Sequence, residues 1–126
     1  MAGNLSNHAE ALLLKWLNTD ETVTRPAAWF LGLYSAAPTD AGGGTEISAA
    51  GYARQAIDFG TDGATNTNEI LFEADGANWP EATHVGVFDA ASAGNLIWHG
   101  PMTAPKQIDD GDAIAFDPGD IDTSLD

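Results

Sequence analysis

Three features of the sequence predict a mainly β fold, an antiparallel β-sandwich of about seven strands with one N-terminal amphipathic helix. Residues 84–100 read as two strands joined by a turn, because Val85 and Val87 alternate with Gly86 and Phe88, and Leu96 and Trp98 alternate with Ile97 and His99. Short apolar runs recur elsewhere between clusters of Gly, Pro, Asp and Asn, the punctuation of hairpins and loops. Only one segment has helical periodicity, so no second helix is present to cross between parallel strands. Both faces of the hairpin carry bulky or apolar residues, which places it in the middle of a sheet.

The helix comes first. Ser6 or Asn7 is its N-cap, with Glu10 three residues after Asn7 as the reciprocal half of a capping box. Leu5, Ala9, Leu12, Leu13, Trp16 and Leu17 fall on one face, and the pattern stops at Asn18-Thr19-Asp20. A helix of about a dozen residues is marginal alone, so it must dock on its own sheet or on a neighbouring subunit. Pro26 ends any continuation. A first strand spans 28–35, with Trp29, Leu31 and Leu33 opposite Phe30, Gly32 and Tyr34. Residues 36–44, with Pro38, Asp40 and the run Gly42-Gly43-Gly44, form a loop too flexible to be ordered without a partner. Strands follow at 52–59 and 68–73, separated by a Gly/Asp/Asn turn. A second loop at 75–80 carries Trp79 at its tip. After the central hairpin, Pro101 and Pro105 exclude a long regular strand between them. The acidic turn 109–112 leads into short strands at 113–116 and 121–125.

At 126 residues the chain is expected to form one domain, 1–126, burying roughly two thirds of its unfolded surface. There is no cysteine, hence no disulfide, thiolate metal site or cysteine nucleophile. No apolar run approaches the ~20 residues of a membrane span, and the N-terminus lacks the basic start of a signal peptide, so a soluble, unprocessed chain is expected. Four basic residues face nineteen acidic ones, for a formal net charge of −15. That balance repels phosphate backbones and anionic headgroups, which argues against nucleic acid and membrane as partners. Seven aspartates and no base lie between Asp109 and Asp126, a solvated surface or a patch for a basic partner.

No catalytic, metal or cofactor site emerges. His8, His84 and His99 are too scattered for a local metal motif and read as structural. His99 can approach Asp89 across the hairpin, but a serine nucleophile at Ser92 would also need an oxyanion hole and a cleft. With nineteen acids, paired carboxylates arise by chance, and an enzyme acting on polysaccharide has no further support. The turn at 109–112 lacks EF-hand spacing. Trp79 and Tyr52 are candidates for stacking on carbohydrate; Trp16, Trp29 and Trp98 sit at patterned, core-like positions, so Trp79 is the one loop tryptophan and the candidate ligand contact. The candidate subunit contact joins Leu12, Leu13 and Trp16 of the helix with Gly42, Gly43 and Gly44 of the loop; a helix capping its own sandwich is the equal alternative.

Several blocks then support a comparison. The opening Met-Ala-Gly-Asn-Leu-Ser-Asn-His-Ala-Glu, Leu31-Gly-Leu-Tyr34, the run from Pro38 through the glycines to Glu46, Gly51-Tyr-Ala-Arg54, and Gly86-Val-Phe-Asp-Ala-Ala-Ser-Ala-Gly-Asn-Leu-Ile-Trp98 together resemble a family of small tailed-phage virion proteins commonly labelled phage tail fibre proteins. The resemblance spans nearly the whole chain. It implies a non-enzymatic virion structural protein, made in the host cytoplasm, placed on the virion exterior, contacting major capsid or tail proteins, and forming a homo-oligomer. The chain has no heptads and no repeat from which to build a shaft. Its small acidic build favours an exterior capsid decoration, or cement, protein, with a tail fibre or baseplate module binding host receptor or carbohydrate as the alternative.

Overall fold

A computed structural model describes residues 2–123. It is mainly β and antiparallel, with nine strands and one helix: β1 (Ala2–Leu5), α1 (Asn7–Asn18), β2 (Phe30–Ala36), β3 (Thr45–Glu46), β4 (Gln55–Ala56), β5 (Ile70–Glu73), β6 (Ala82–Phe88), β7 (Leu96–Lys106), β8 (Ala113–Phe116) and β9 (Asp122–Thr123). One layer is a seven-stranded sheet in the order β3-β2-β6-β7-β1-β9. The outer edge of β2 is shared, its C-terminal half pairing with β3 and its N-terminal half with β4. The second layer is the β5–β8 pair.

The predicted hairpin lies at the centre of the large sheet, Val85 opposite Gly100 and Val87 opposite Trp98. On its inward face Leu31, Leu33, Val85 and Val87 meet Ile70, Phe72, Ile114 and Phe116 of the small sheet in one buried cluster. The other face carries Tyr34 stacked on Phe88, ring centroids 6.2 Å apart. Both faces are covered, as their apolar patterning requires.

Several expectations are corrected. The segment 52–59 supplies only the two-residue β4, since the Tyr52 amide turns back to the Ala49 carbonyl and only Gln55 and Ala56 pair in register with β2. Pro101 and Pro105 lie within the eleven-residue β7; the register with β6 slips between His84↔Pro101 and Ala82↔Lys106, and such an irregularity tolerates residues without an N–H. β1 and β3 have no strand pattern of their own and exist through pairing, β1 being parallel to β9. The predicted last strand is present as β9, and residues 124–126 lie outside the described residues.

A single buried asparagine closes the C-terminal end of the sandwich. Asn66 Oδ1 accepts from the amides of Gly119 and Ile121, at 3.1 and 2.9 Å, while Nδ2 donates to the carbonyls of Asn68 and Asp117. Three of these four side-chain bonds fasten the turn at 117–121 to the strand entry at 66–68 and the fourth, to Asn68, is local, leaving no polar atom of the buried amide unpaired.

Candidate functional site

The helix is the least covered element. Ser6 caps it, its Oγ accepting from the Ala9 amide at 3.1 Å and donating to the Leu96 carbonyl. Ser6 is therefore the N-cap and Ala9 the third helical residue, so Glu10 falls one position too late for the expected capping box. The C-terminal end is held by Thr19, which donates to the Lys15 carbonyl. Between these caps only Ala9 is buried. Leu14, Trp16 and Leu17 are 60%, 65% and 66% exposed.

Leu12, Leu13 and Trp16 line one wall of an open groove of about 520 Å³. Its floor and far wall come from Trp98 of β7 and from Val23, Pro26 and Trp29 of the segment joining α1 to β2. Arg25 stands among them. Trp16 is thus a surface residue, while Trp29 and Trp98 are half-buried, one side against the core and one toward the groove. The joining segment reads as a linker because Val23 and Pro26 follow no period; only the placement of Trp29 hinted that apolar surface continues there.

Gly42 and Gly43 line a different hollow beside Ser6, Asn7 and His8, and none of Gly42, Gly43 and Gly44 lines the groove. Their loop is pinned. Thr39 and Gly42 exchange backbone hydrogen bonds at 2.7 and 2.9 Å, the Asn7 amide donates to the Asp40 carbonyl at 2.8 Å, and Asp40 Oδ1 lies 2.7 Å from His99 Nε2. All three glycines have positive φ, +100°, +75° and +70°, which explains their run. His99 pairs with Asp40, so the expected approach to Asp89 is replaced. Asp89 instead accepts from the Asn95 amide at 2.7 Å and from Asn95 Nδ2 at 3.0 Å, closing the β6–β7 turn. Burial opposes the Asp89 charge, but these donors prevail and hold its carboxyl below the ordinary range.

Trp79 is a correction. It is 2% exposed, its Nε1 donates to the Ala50 carbonyl at 2.9 Å, and its ring meets Tyr52 edge-on at 5.4 Å. The loop at 75–80 folds inward because the acidic turn at 109–112 clasps it. The Gly76 amide donates to Asp110 Oδ1, the Asp110 amide donates to Asn78 Oδ1, and Gln107 Nε2 donates to the Trp79 carbonyl. A ring so enclosed offers no face to a sugar.

A second constellation joins Tyr52 with Glu46 and Arg54, residues placed in the family-like blocks above without any bond between them being foreseen. Arg54 forks onto Glu46 through Nε and Nη2, both at 2.9 Å, while Nη1 donates to the carbonyls of Ala90 and Ala93 in the β6–β7 turn, at 2.9 and 2.8 Å. Its guanidinium carbon lies 3.4 Å above the Phe88 ring centroid. Tyr52 donates to Glu46 at 2.7 Å and accepts from the Leu33 amide at 3.0 Å. Burial weighs against the Arg54 charge, but the Glu46 bonds and charge outweigh it and its pKa is raised. Gly32 makes the approach possible, since a Cβ there would meet Glu46 Oε2 at 2.8 Å and the Tyr52 hydroxyl at 3.0 Å. The blocks Leu31–Tyr34, Thr45-Glu46, Gly51–Arg54 and the hairpin turn are therefore one interaction. Its donors and acceptors are directed at each other, which makes it a structural tie.

Among the described residues no group of three or more His, Cys, Asp or Glu side chains is placed to hold a metal ion, and no helix is long and apolar enough to cross a membrane. The fold is thus a tightly tied β-sandwich with one largely uncovered helix. The chain belongs to the family described as Podophage GP4 fiber I protein gp80, which matches residues 4–124. It is accordingly a virion structural protein of the phage tail fibre type. No curated protein matches the chain. The family supports the fibre reading at least as well as the capsid-decoration reading, and so reverses the order in which size and charge placed them.

Proposed function

We propose that the chain is a compact, non-enzymatic module of the tail-fibre apparatus, attached to other virion proteins on the exterior of the particle. The match over residues 4–124 to a podophage fibre family carries this reading. The fold adds how the module contributes: without heptads or repeats it supplies a globular part to a fibre, not a shaft. A carbohydrate-stacking role loses its candidate residue with the burial of Trp79.

Localisation on intact particles tests the proposal. Antibody labelling should mark fibres or tail, with a copy number far below that of the major capsid protein. Uniform labelling of the head, in proportion to the capsid subunit, would return the protein to capsid decoration.

A further inference from the structure

We infer that the hollow at the N-terminal end of α1 is a binding site for a neutral, polyhydroxylated ligand the size of one sugar ring, held by hydrogen bonds and not by stacking. It shares nothing with Trp79, and binding in solution tests it whatever the protein's place on the virion. The hollow is an open space of about 360 Å³ between the first turn of α1, the loop through Asp40 and Gly43, and the β6–β7 turn at Asn95, with Tyr34 and Phe88 of the large sheet also lining it. That volume lies in the range that takes small ligands. One group in it points to an occupant. Tyr34 is only 5% exposed; its carbonyl takes the Thr83 hydroxyl, but its own hydroxyl has no hydrogen-bond partner among the described residues. Every fully enclosed side-chain oxygen and nitrogen there does have one, so the phenol oxygen opens into the hollow that the ring lines. Tyr52, by contrast, spends its hydroxyl twice, on Glu46 and on the Leu33 amide.

The bonding capacity left over around that hydroxyl is mixed in kind. Asp40 spends Oδ1 on His99 and Asn95 spends Nδ2 on Asp89, which leaves Asp40 Oδ2 and Asn95 Oδ1 as acceptors. At the helix start Asn7 donates to the Asp40 carbonyl, Ala9 to Ser6 Oγ and Glu10 to the Ser6 carbonyl, which leaves the His8 amide as a donor. Neither sign of charge is favoured. The positive end of the helix opposes a cation, while Asp40 and the neighbouring Asp89, on a chain of net charge −15, oppose an anion. A neutral polyol meets both conditions, because each of its hydroxyls can donate and accept. The walls are also set in advance. Thr39 and Gly42 close the loop on itself, Asn7 and His99 fasten it, and Asp89 closes the turn on Asn95, so binding has little chain to order.

Nuclear magnetic resonance of the full chain, titrated in turn with glucose, galactose, mannose, N-acetylglucosamine and rhamnose, tests this. At least one sugar is expected to bind with a Kd of about 1 mM, the scale that one ring of about twelve heavy atoms supports, and to shift the amide signals of His8, Gly42, Gly43 and Asn95. Tyr34→Phe removes only a hydroxyl that the fold leaves unused, so it should keep the parent's Tm and weaken the sugar about 10-fold. Asp40→Asn, which keeps an oxygen for His99, should weaken it in the same direction and answers for the case in which the Tyr34 variant misfolds. Sodium sulfate and methylammonium chloride should leave those signals in place. Binding by none of the sugars, shifts confined to another face, folded variants that bind as the parent does, or a stronger response to either ion would each overturn the inference.

Discussion

Tyr34 and Tyr52 are the chain's two tyrosines, and neither phenol is free to ionise in the fold. Burial pushes the Tyr34 hydroxyl up to about 12, helped by the Glu46 charge. Burial raises Tyr52 as well, reinforced by its hydrogen bond to Glu46, which a phenolate could not donate. In the unfolded chain both ionise near ~10. Each therefore contributes stability that is full below ~10 and lost as pH climbs toward the folded value, because above ~10 the unfolded state releases protons that the folded state keeps. An absorbance titration should show little phenolate at pH ~10.5, then a rise that coincides with loss of near-ultraviolet circular dichroism. Half-ionisation near ~10 with the fold intact would contradict the buried placement of both rings.

At the scale of elements, Arg54 does what a longer strand would otherwise do. It links β3 through Glu46, the segment leading into β4, and the β6–β7 turn, three pieces with few backbone bonds to one another. Its side chain is 9% exposed and that of Glu46 25%. Arg54→Ala leaves Glu46 without its cation and two turn carbonyls without donors, so a loss of about 3 kcal/mol is expected, or about 10 °C in Tm at this length. Arg54→Lys should recover little, since an ammonium cannot form the planar fork or lie over the Phe88 ring as a guanidinium does. Full recovery by lysine in thermal unfolding would show that charge alone suffices. The central hairpin, the helix and the strands at 68–73 and 113–116 were legible because their apolar residues repeat at a strict period. β1 and β3 were not read, since strands this short are defined by their partners. Trp79 was misplaced because its burial depends on Asp110, Asn78 and Gln107, a clasp reaching across roughly thirty positions of sequence. Of the residues that line the groove, Leu12, Leu13 and Trp16 share a helical face legible in their spacing, while Val23 and Pro26 carry no periodic signal.

At the scale of the whole molecule, the charge is almost wholly uncompensated. Three ion pairs occur among the described residues. Lys15–Glu21 is exposed, Arg54–Glu46 is mostly shielded, and His99–Asp40 depends on the protonation of the imidazole. A net charge of −15 on 126 residues thus sets the acidic remainder against itself in the compact state, and the expanded chain relieves that repulsion. Salt has little attraction to screen and much repulsion. Raising NaCl from ~0.01 to ~0.15 M shortens the Debye length from about 30 to about 8 Å, so Tm should rise by several degrees and then level off. Potassium chloride should act equally, as a screening effect requires. A Tm that falls with salt would mean that local ion pairs outweigh the net field.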